Sequence, residues 1–131
     1  MKIIVAYDGS SVARDALELA RKRAKSYAAD IEVVTTMAQD RGLKYEDVLK
    51  LEKKLEREVG RLFKEDDTPY KTYLAITDLT PGEELVEFAG NHNVDEIIIG
   101  VRRGSRVGKF VFGSNAQYVV LHAPCPVVAI K

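Results

Sequence analysis

Five short β-prone runs, separated by stretches of helical period, constrain this chain more than any other feature of its sequence. The runs are Ile3 to Ala6, Ile31 to Thr36, Tyr70 to Ile76, Glu96 to Gly100 and Val127 to Ile130. The first and fourth are continuously apolar at their centres, which suits strands buried on both faces. The connection after each of the first four strands is too long for a tight hairpin and carries its own helical pattern. Strands that alternate with helices in this way imply a parallel sheet with helices on both faces. At 131 residues the chain is one domain, spanning 1–131, and the expected fold is a single-domain α/β three-layer sandwich with five strands and four helices.

The helical segments have legible faces and ends. From 12 to 27, Ala13, Ala16, Leu17, Ala20, Ala24 and Tyr27 fall at three- and four-residue spacing, with Arg14, Glu18, Arg21, Lys22 and Lys25 mostly outside that stripe. The preceding Asp8-Gly9-Ser10-Ser11 supplies a turn and an N-cap. A second helix is predicted over 44–64, after a polar loop from Met37 to Leu43, with Val48, Leu51, Leu55, Val59, Leu62 and Phe63 on its apolar face. Its ion pairs Glu46 with Lys50 and Lys54 with Glu58 read as a solvated surface. Thr80-Pro81-Gly82-Glu83 is a capping box with proline at the first helical position, and Asn91-His92-Asn93 ends that helix. The fourth helix runs from about Ser114 to His122.

The charge balance excludes some partners and localises others. Twenty Lys and Arg offset twenty Asp and Glu, so the protein as a whole is no basic glove for nucleic acid. The balance is nevertheless uneven. No acidic residue follows Glu96, whereas Arg102, Arg103, Arg106, Lys109 and Lys131 do, and the first 96 residues hold 20 acidic against 15 basic side chains. The single cysteine, Cys125, cannot close an internal disulfide, and the chain enters its first strand without a secretory pattern, so a cytoplasmic setting is expected. No apolar run approaches the roughly 20 residues of a membrane helix.

The densest chemistry lies after the fourth strand, between Gly100 and Ser114, where four glycines (Gly100, Gly104, Gly108, Gly113) mix with four cations. Glycine lets backbone N–H groups approach a ligand, arginine adds charge-assisted donors, and Ser114 starts a helix whose N-terminus favours an anion. Together they describe a phosphate cradle, and composition alone fits a solvated loop equally well. A P-loop is excluded, because Gly108-Lys109 is followed by Phe110 and preceded at the required distance by Arg103. The Gly-x-Gly-x-x-Gly dinucleotide fingerprint is absent from the first turn.

With Ala6-Tyr7-Asp8-Gly9-Ser10 ending the first strand, Gly100 ending the fourth, Gly113-Ser114 closing the glycine-rich loop and His122-Ala123-Pro124-Cys125-Pro126-Val127 leading into the last, the chain resembles a universal stress protein over essentially its whole length. That resemblance implies strand order 3-2-1-4-5, a homodimer through Val127 to Ile130, and a stress-response role. In one branch of the family it implies ATP binding at the carboxyl ends of strands 1, 2 and 4, with Mg²⁺ held through the phosphates. Members of that branch carry Gly, two residues, Gly, nine residues, then Gly-Ser or Gly-Thr. Here the outer positions are Gly100 and Gly113-Ser114, and the middle one is Arg103, with Gly104 one residue later. Carried over, the ATP-binding set is Ala6, Tyr7, Asp8, Ser10, Thr36, Ile99, Gly100, Arg103, Gly104, Gly113, Ser114 and Asn115. Asp8 would face the ribose or the adenine edge, and Thr36 would offer backbone groups to the adenine. Two plainer readings stand beside these: an Asx turn or N-cap for Asp8, and an ordinary strand residue for Thr36.

No catalytic constellation is legible. Ser10 and Ser114 lie at predicted helix starts rather than in a nucleophile elbow, so any ATP hydrolysis near Asp8 and Ser114 would be slow. His122 and Cys125 lack a second pair of zinc ligands, and His92 reads as a capping or exposed imidazole. The loop arginines could meet nucleic-acid phosphates, but Phe110 and Phe112 sit in an apolar run unlike a stacking platform. The rival to nucleotide binding is a nucleotide-free homodimeric interaction module whose pocket Arg103 alters.

Overall fold

The computed structural model describes residues 1–39, 42–64, 66–101 and 113–131. Its elements follow in the order β1 (Lys2–Ala6), α1 (Ser11–Tyr27), β2 (Asp30–Ala38), α2 (Tyr45–Leu62), β3 (Tyr70–Thr77), α3 (Pro81–Asn91), β4 (Glu96–Gly100), α4 (Ser114–His122) and β5 (Val127–Ile130). All strand pairs are parallel, as the alternation of strands and helices predicts, and the sheet order is β3-β2-β1-β4-β5, as the resemblance implied. The chain therefore lays down β1, β2 and β3 in one direction and then returns to the other side of β1 for β4 and β5. The carboxyl ends of β1 and β4 mark the point where strand order reverses, the place where open α/β sheets keep their ligands.

Two apolar clusters, one on each sheet face, make the three layers. Ile3, Val5, Ile31, Val33 and Ile98 meet α1 through Ala13, Ala16, Leu17, Ala20 and Ala24, and meet α2 through Leu55 and Val59. The alanines let α1 lie close against the strands. On the opposite face Ile4, Val34, Ile97 and Ile99 pack under Leu85, Phe88 and Ala89 of α3 and Val119 of α4. The strict alternation of Ile3 and Val5 against Ile4 is the period-2 side-chain geometry of a strand buried on both sides.

Several boundaries differ from the sequence expectation by one or two residues, those of β2 and α2 with a visible cause. β2 continues through Met37 and Ala38, where a loop was predicted, because Met37 pairs with Ile76 and Ala38 with Thr77 of β3. α2 starts at Tyr45 and ends at Leu62, with Lys44 and Phe63 as its caps. The N-caps of α1 and α3 agree with their signals. Ser10 caps α1 by accepting from Ala13 N, and Thr80 and Glu83 form the reciprocal capping box at α3.

At the amino ends of the strands, ion pairs tie the layers together. Arg23 of α1 donates from Nε and Nη2 to the two oxygens of Glu96 at 2.6 and 2.7 Å, the bidentate fork that suits a carboxylate. Arg21, from the same helix, reaches Asp66 before β3 at 2.8 Å. Lys2 Nζ lies 3.2 Å from Glu32 Oε1 and donates to the His92 carbonyl at 3.0 Å. Glu32 is almost fully buried, which its place in a β-branched run gave no hint of. The His92 ring, expected as a cap or an exposed imidazole, belongs to the C-cap residue of α3 and stacks on Phe88 with centroids 3.8 Å apart.

Candidate functional site

A cleft of about 590 Å³ opens at the carboxyl ends of β1, β2 and β4, roofed by the first turns of α3 and α4. Its size suits a small-molecule ligand. Its floor is Val34, Leu85, Ile99 and Val119, of which the sequence reading named only Ile99 as a site residue. Of the residues carried over from sequence, Ala6, Tyr7, Asp8, Ser10, Thr36, Ile99, Gly100, Gly113 and Asn115 line it. Ser114 follows Gly113 as the first residue of α4 but is not part of the lining. Arg103 and Gly104 lie outside the described residues, as do the other loop cations and Phe110 and Phe112.

The β1–α1 turn is held rigidly by its own backbone chemistry. Tyr7 N donates to Val34 O at 2.9 Å, and Thr35 Oγ1 donates to Tyr7 O at 2.7 Å, so the chain beyond β1 stays stitched to β2. The Tyr7 ring is buried in the α1–α2 layer, and its hydroxyl donates to Glu58 Oε2 at 3.1 Å. Burial, and then the neighbouring Glu58 carboxylate, push the Tyr7 phenol above its ordinary pKa, so it remains a donor. Gly9 turns at φ +83°, a conformation that L side chains rarely adopt. Asp8 Oδ1 accepts from Ser10 N at 3.0 Å, forming the Asx turn that the sequence left open beside a ligand role.

Gly100 is explained by packing. A Cβ there would come within 3.0 Å of both γ-methyls of Val12 and 3.2 Å of the Val12 carbonyl carbon. The glycine therefore lets the first turn of α1 close against the end of β4, and Val12 itself lines the cleft. Beyond it, Val101 N donates to Ile130 O at 2.6 Å and carries the chain past β5.

The two roofing helices present different N-termini. α3 has its capping box, whereas α4 begins at Gly113 and has no side-chain cap among the described residues. The four leading N–H groups of a helix need partners and carry partial positive charge, so an uncapped N-terminus beside a cleft suits an anion. Among the described residues, no group of three or more His, Cys, Asp or Glu could hold a metal ion. His122 stacks on Tyr118, and burial pushes the Cys125 thiol up from its ordinary pKa. No helix is long and apolar enough to cross a membrane among the described residues.

The parallel sheet of order β3-β2-β1-β4-β5, with a cleft open where strand order reverses, is a doubly wound α/β fold. The profile of the universal stress protein family matches residues 1–131, and the chain belongs to that family. A universal stress protein of Thermus aquaticus is 30% identical, over 98% of this chain and 97% of its own length. Among solved structures, a universal stress protein from Archaeoglobus fulgidus superposes with a TM-score of 0.85 at 30% identity, covering 100% of this chain and 98% of that one. A universal stress protein from Archaeoglobus fulgidus in complex with dAMP gives 0.80 at 27% identity, with the same coverage.

Proposed function

We infer that this chain is a stress-response regulatory protein of the cytoplasm that binds ATP in the cleft between β1, β2 and β4, and acts by linking nucleotide occupancy to its interactions. The observation that carries this reading is the cleft itself: apolar walls for a base, with the uncapped first turn of α4 beside them for phosphate. The dAMP complex of a relative 27% identical supports an adenine nucleotide as the ligand. Mg²⁺ would be held mainly through the nucleotide phosphates, as is usual for this ion. A bound nucleotide stabilises the folded state by mass action and can bias an interaction surface.

The proposed partner is a second copy of the chain, joined through β5. This strand ends the sheet beyond β4, and the nearby α4 exposes Val120 and Leu121. An apolar edge strand is hazardous unless another chain covers it.

Titration calorimetry of nucleotide-free protein with Mg·ATP and with AMP tests the reading, beside an Arg103→Gly variant. Heat of binding from the parent supports it. Absence of heat from both nucleotides overturns it, and recovery in the variant alone would favour a nucleotide-free module whose pocket Arg103 has closed. Light scattering after size exclusion tests the pairing, with a mass of one chain as the result that overturns it.

A further inference from the structure

The first turns of α3 and α4 do not merely adjoin; one is built around the other. Pro81 has no N–H, Gly82 N donates to Asn115 Oδ1 at 3.0 Å, Glu83 N donates to Thr80 Oγ1 at 3.3 Å, and Glu84 N to Thr80 O at 3.0 Å. Every leading donor of α3 is therefore engaged within the protein, and none is left for a ligand. Asn115, the second residue of α4, takes the one donor that the capping box does not reach.

The contact depends on Gly82 as much as on Asn115. Gly82 is buried, and a Cβ on it would lie 2.9 Å from Asn115 O, 3.2 Å from its Cα and 3.3 Å from Oδ1. Only a glycine admits the backbone of α4 so close. The side chain of Asn115 is on the exposed surface, and nothing about its burial calls for an amide there. Its hydrogen bond fixes where the uncapped end of α4 sits relative to the cleft floor that α3 contributes through Leu85.

We propose that Asn115 is a positioning residue: by bolting the first turn of α4 to Gly82 of α3, it holds the uncapped α4 N-terminus where a nucleotide phosphate would lie. This rests on the nucleotide reading above and deepens it, because it assigns the phosphate to α4 and excludes α3. It also gives Asn115 an indirect role, with its side-chain oxygen committed to Gly82 instead of to ligand.

The test compares the full-length parent with Asn115→Ala and Asn115→Asp, the latter retaining an acceptor for Gly82. Amide exchange without nucleotide reads the bolt: in Asn115→Ala the Gly82 amide should exchange about tenfold faster while β1 amides keep their protection, and Asn115→Asp should retain protection at Gly82. Calorimetry then reads the positioning: Asn115→Ala should weaken AMP about fivefold and leave adenosine, which lacks the phosphate, within about twofold. Unchanged Gly82 exchange in Asn115→Ala overturns the bolt. Equal losses for AMP and adenosine overturn the positioning role. A parent that takes up neither ligand overturns the nucleotide reading and the positioning role with it, while the Gly82 exchange still decides the bolt on its own.

Discussion

At the amino ends of the strands Arg23, Arg21 and Lys2 each close on a carboxylate, whereas at the carboxyl ends the same sheet leaves an open cleft and an uncapped helix. Both ends are made from the same strands and helices, so the contrast lies in what the connections carry. On the amino side, α1 sends two arginines outward in different directions, one to β4 and one to the segment before β3. On the carboxyl side, the connections turn through Gly9, close over Gly100 and leave Gly113 without a side chain to cap α4. One end is arranged for stability and the other for access. Substitutions should therefore separate: those at the amino end should lower stability without touching ligand affinity, and those at the carboxyl end should change both.

The largest effect is expected from Arg23→Ala. The Glu96 side chain is only 8% exposed, and removing its fork leaves a carboxylate shielded from water with no counter-charge. Breaking a fully buried pair costs about 3–5 kcal/mol; because Arg23 itself is partly exposed, about 2 kcal/mol is expected here, read as a lower urea midpoint. Adding Glu96→Gln should restore part of it by removing the stranded charge. Nucleotide affinity should stay within about twofold of the parent. A large change in affinity would break the contrast between the two ends.

Gly100→Ala comes next and probes the other end. The added methyl would press on both γ-methyls of Val12, and such overpacking typically costs about 1–3 kcal/mol. Because Val12 lines the cleft, affinity should fall together with the thermal midpoint. Val12→Ala in the same chain should relieve the clash and recover stability beyond the sum of the two single changes, which a double-mutant cycle measures.

How these features were or were not legible in the sequence follows from their range. The strands announced themselves because a parallel sheet buries both faces and leaves unbroken apolar runs such as Ile97 to Ile99. The start of α3 was legible because Thr80, Pro81 and Glu83 make a purely local capping motif. The extension of β2 to Ala38 was not, because its cause is pairing with Ile76 and Thr77 nearly forty residues away. Gly100 stood out as a motif position, while the reason for it, Val12, lies in a different connection. Glu32 carried no signal, and Gly82 and Asn115, read only as part of a capping box and of a carried-over ligand set, gave no hint of each other, since each contact is made with a partner distant in the chain.

Thr80→Ala should have a smaller effect, about 1 kcal/mol, typical of a lost N-cap hydroxyl. The substitution frees the Glu83 N–H and removes a partner of the Glu83 carboxylate, which the Thr80 hydroxyl and backbone N–H hold below its ordinary pKa. Thermal melts read the loss, and Thr80→Ser should restore most of it. The Asn115–Gly82 bond lies in the same helical turn, so Gly82 exchange in Thr80→Ala also sharpens the division between cap and bolt.

The smallest effect belongs to Asp66, at the amino end, and it is read through pH. Hydrogen bonds from Thr68, and then the Arg21 guanidinium, hold this carboxyl at about 2, below its ordinary value. A carboxylate with a folded-state pKa below its unfolded one contributes stability that is present above the unfolded pKa, near 4, and is lost as pH falls through the folded value. The parent should therefore lose this increment between about pH 4 and pH 2, while Asp66→Asn should melt lower at neutral pH and lack that part of the slope. The two melting curves should converge at the acid end. The gap at neutral pH should also shrink as salt is raised, because the ion pair with Arg21 lies within reach of solvent and is screened there. A neutral-pH gap that salt leaves unchanged would assign the role of Asp66 to the hydrogen bonds it accepts from Thr68, and would remove one of the three charged clamps from the amino end of the sheet.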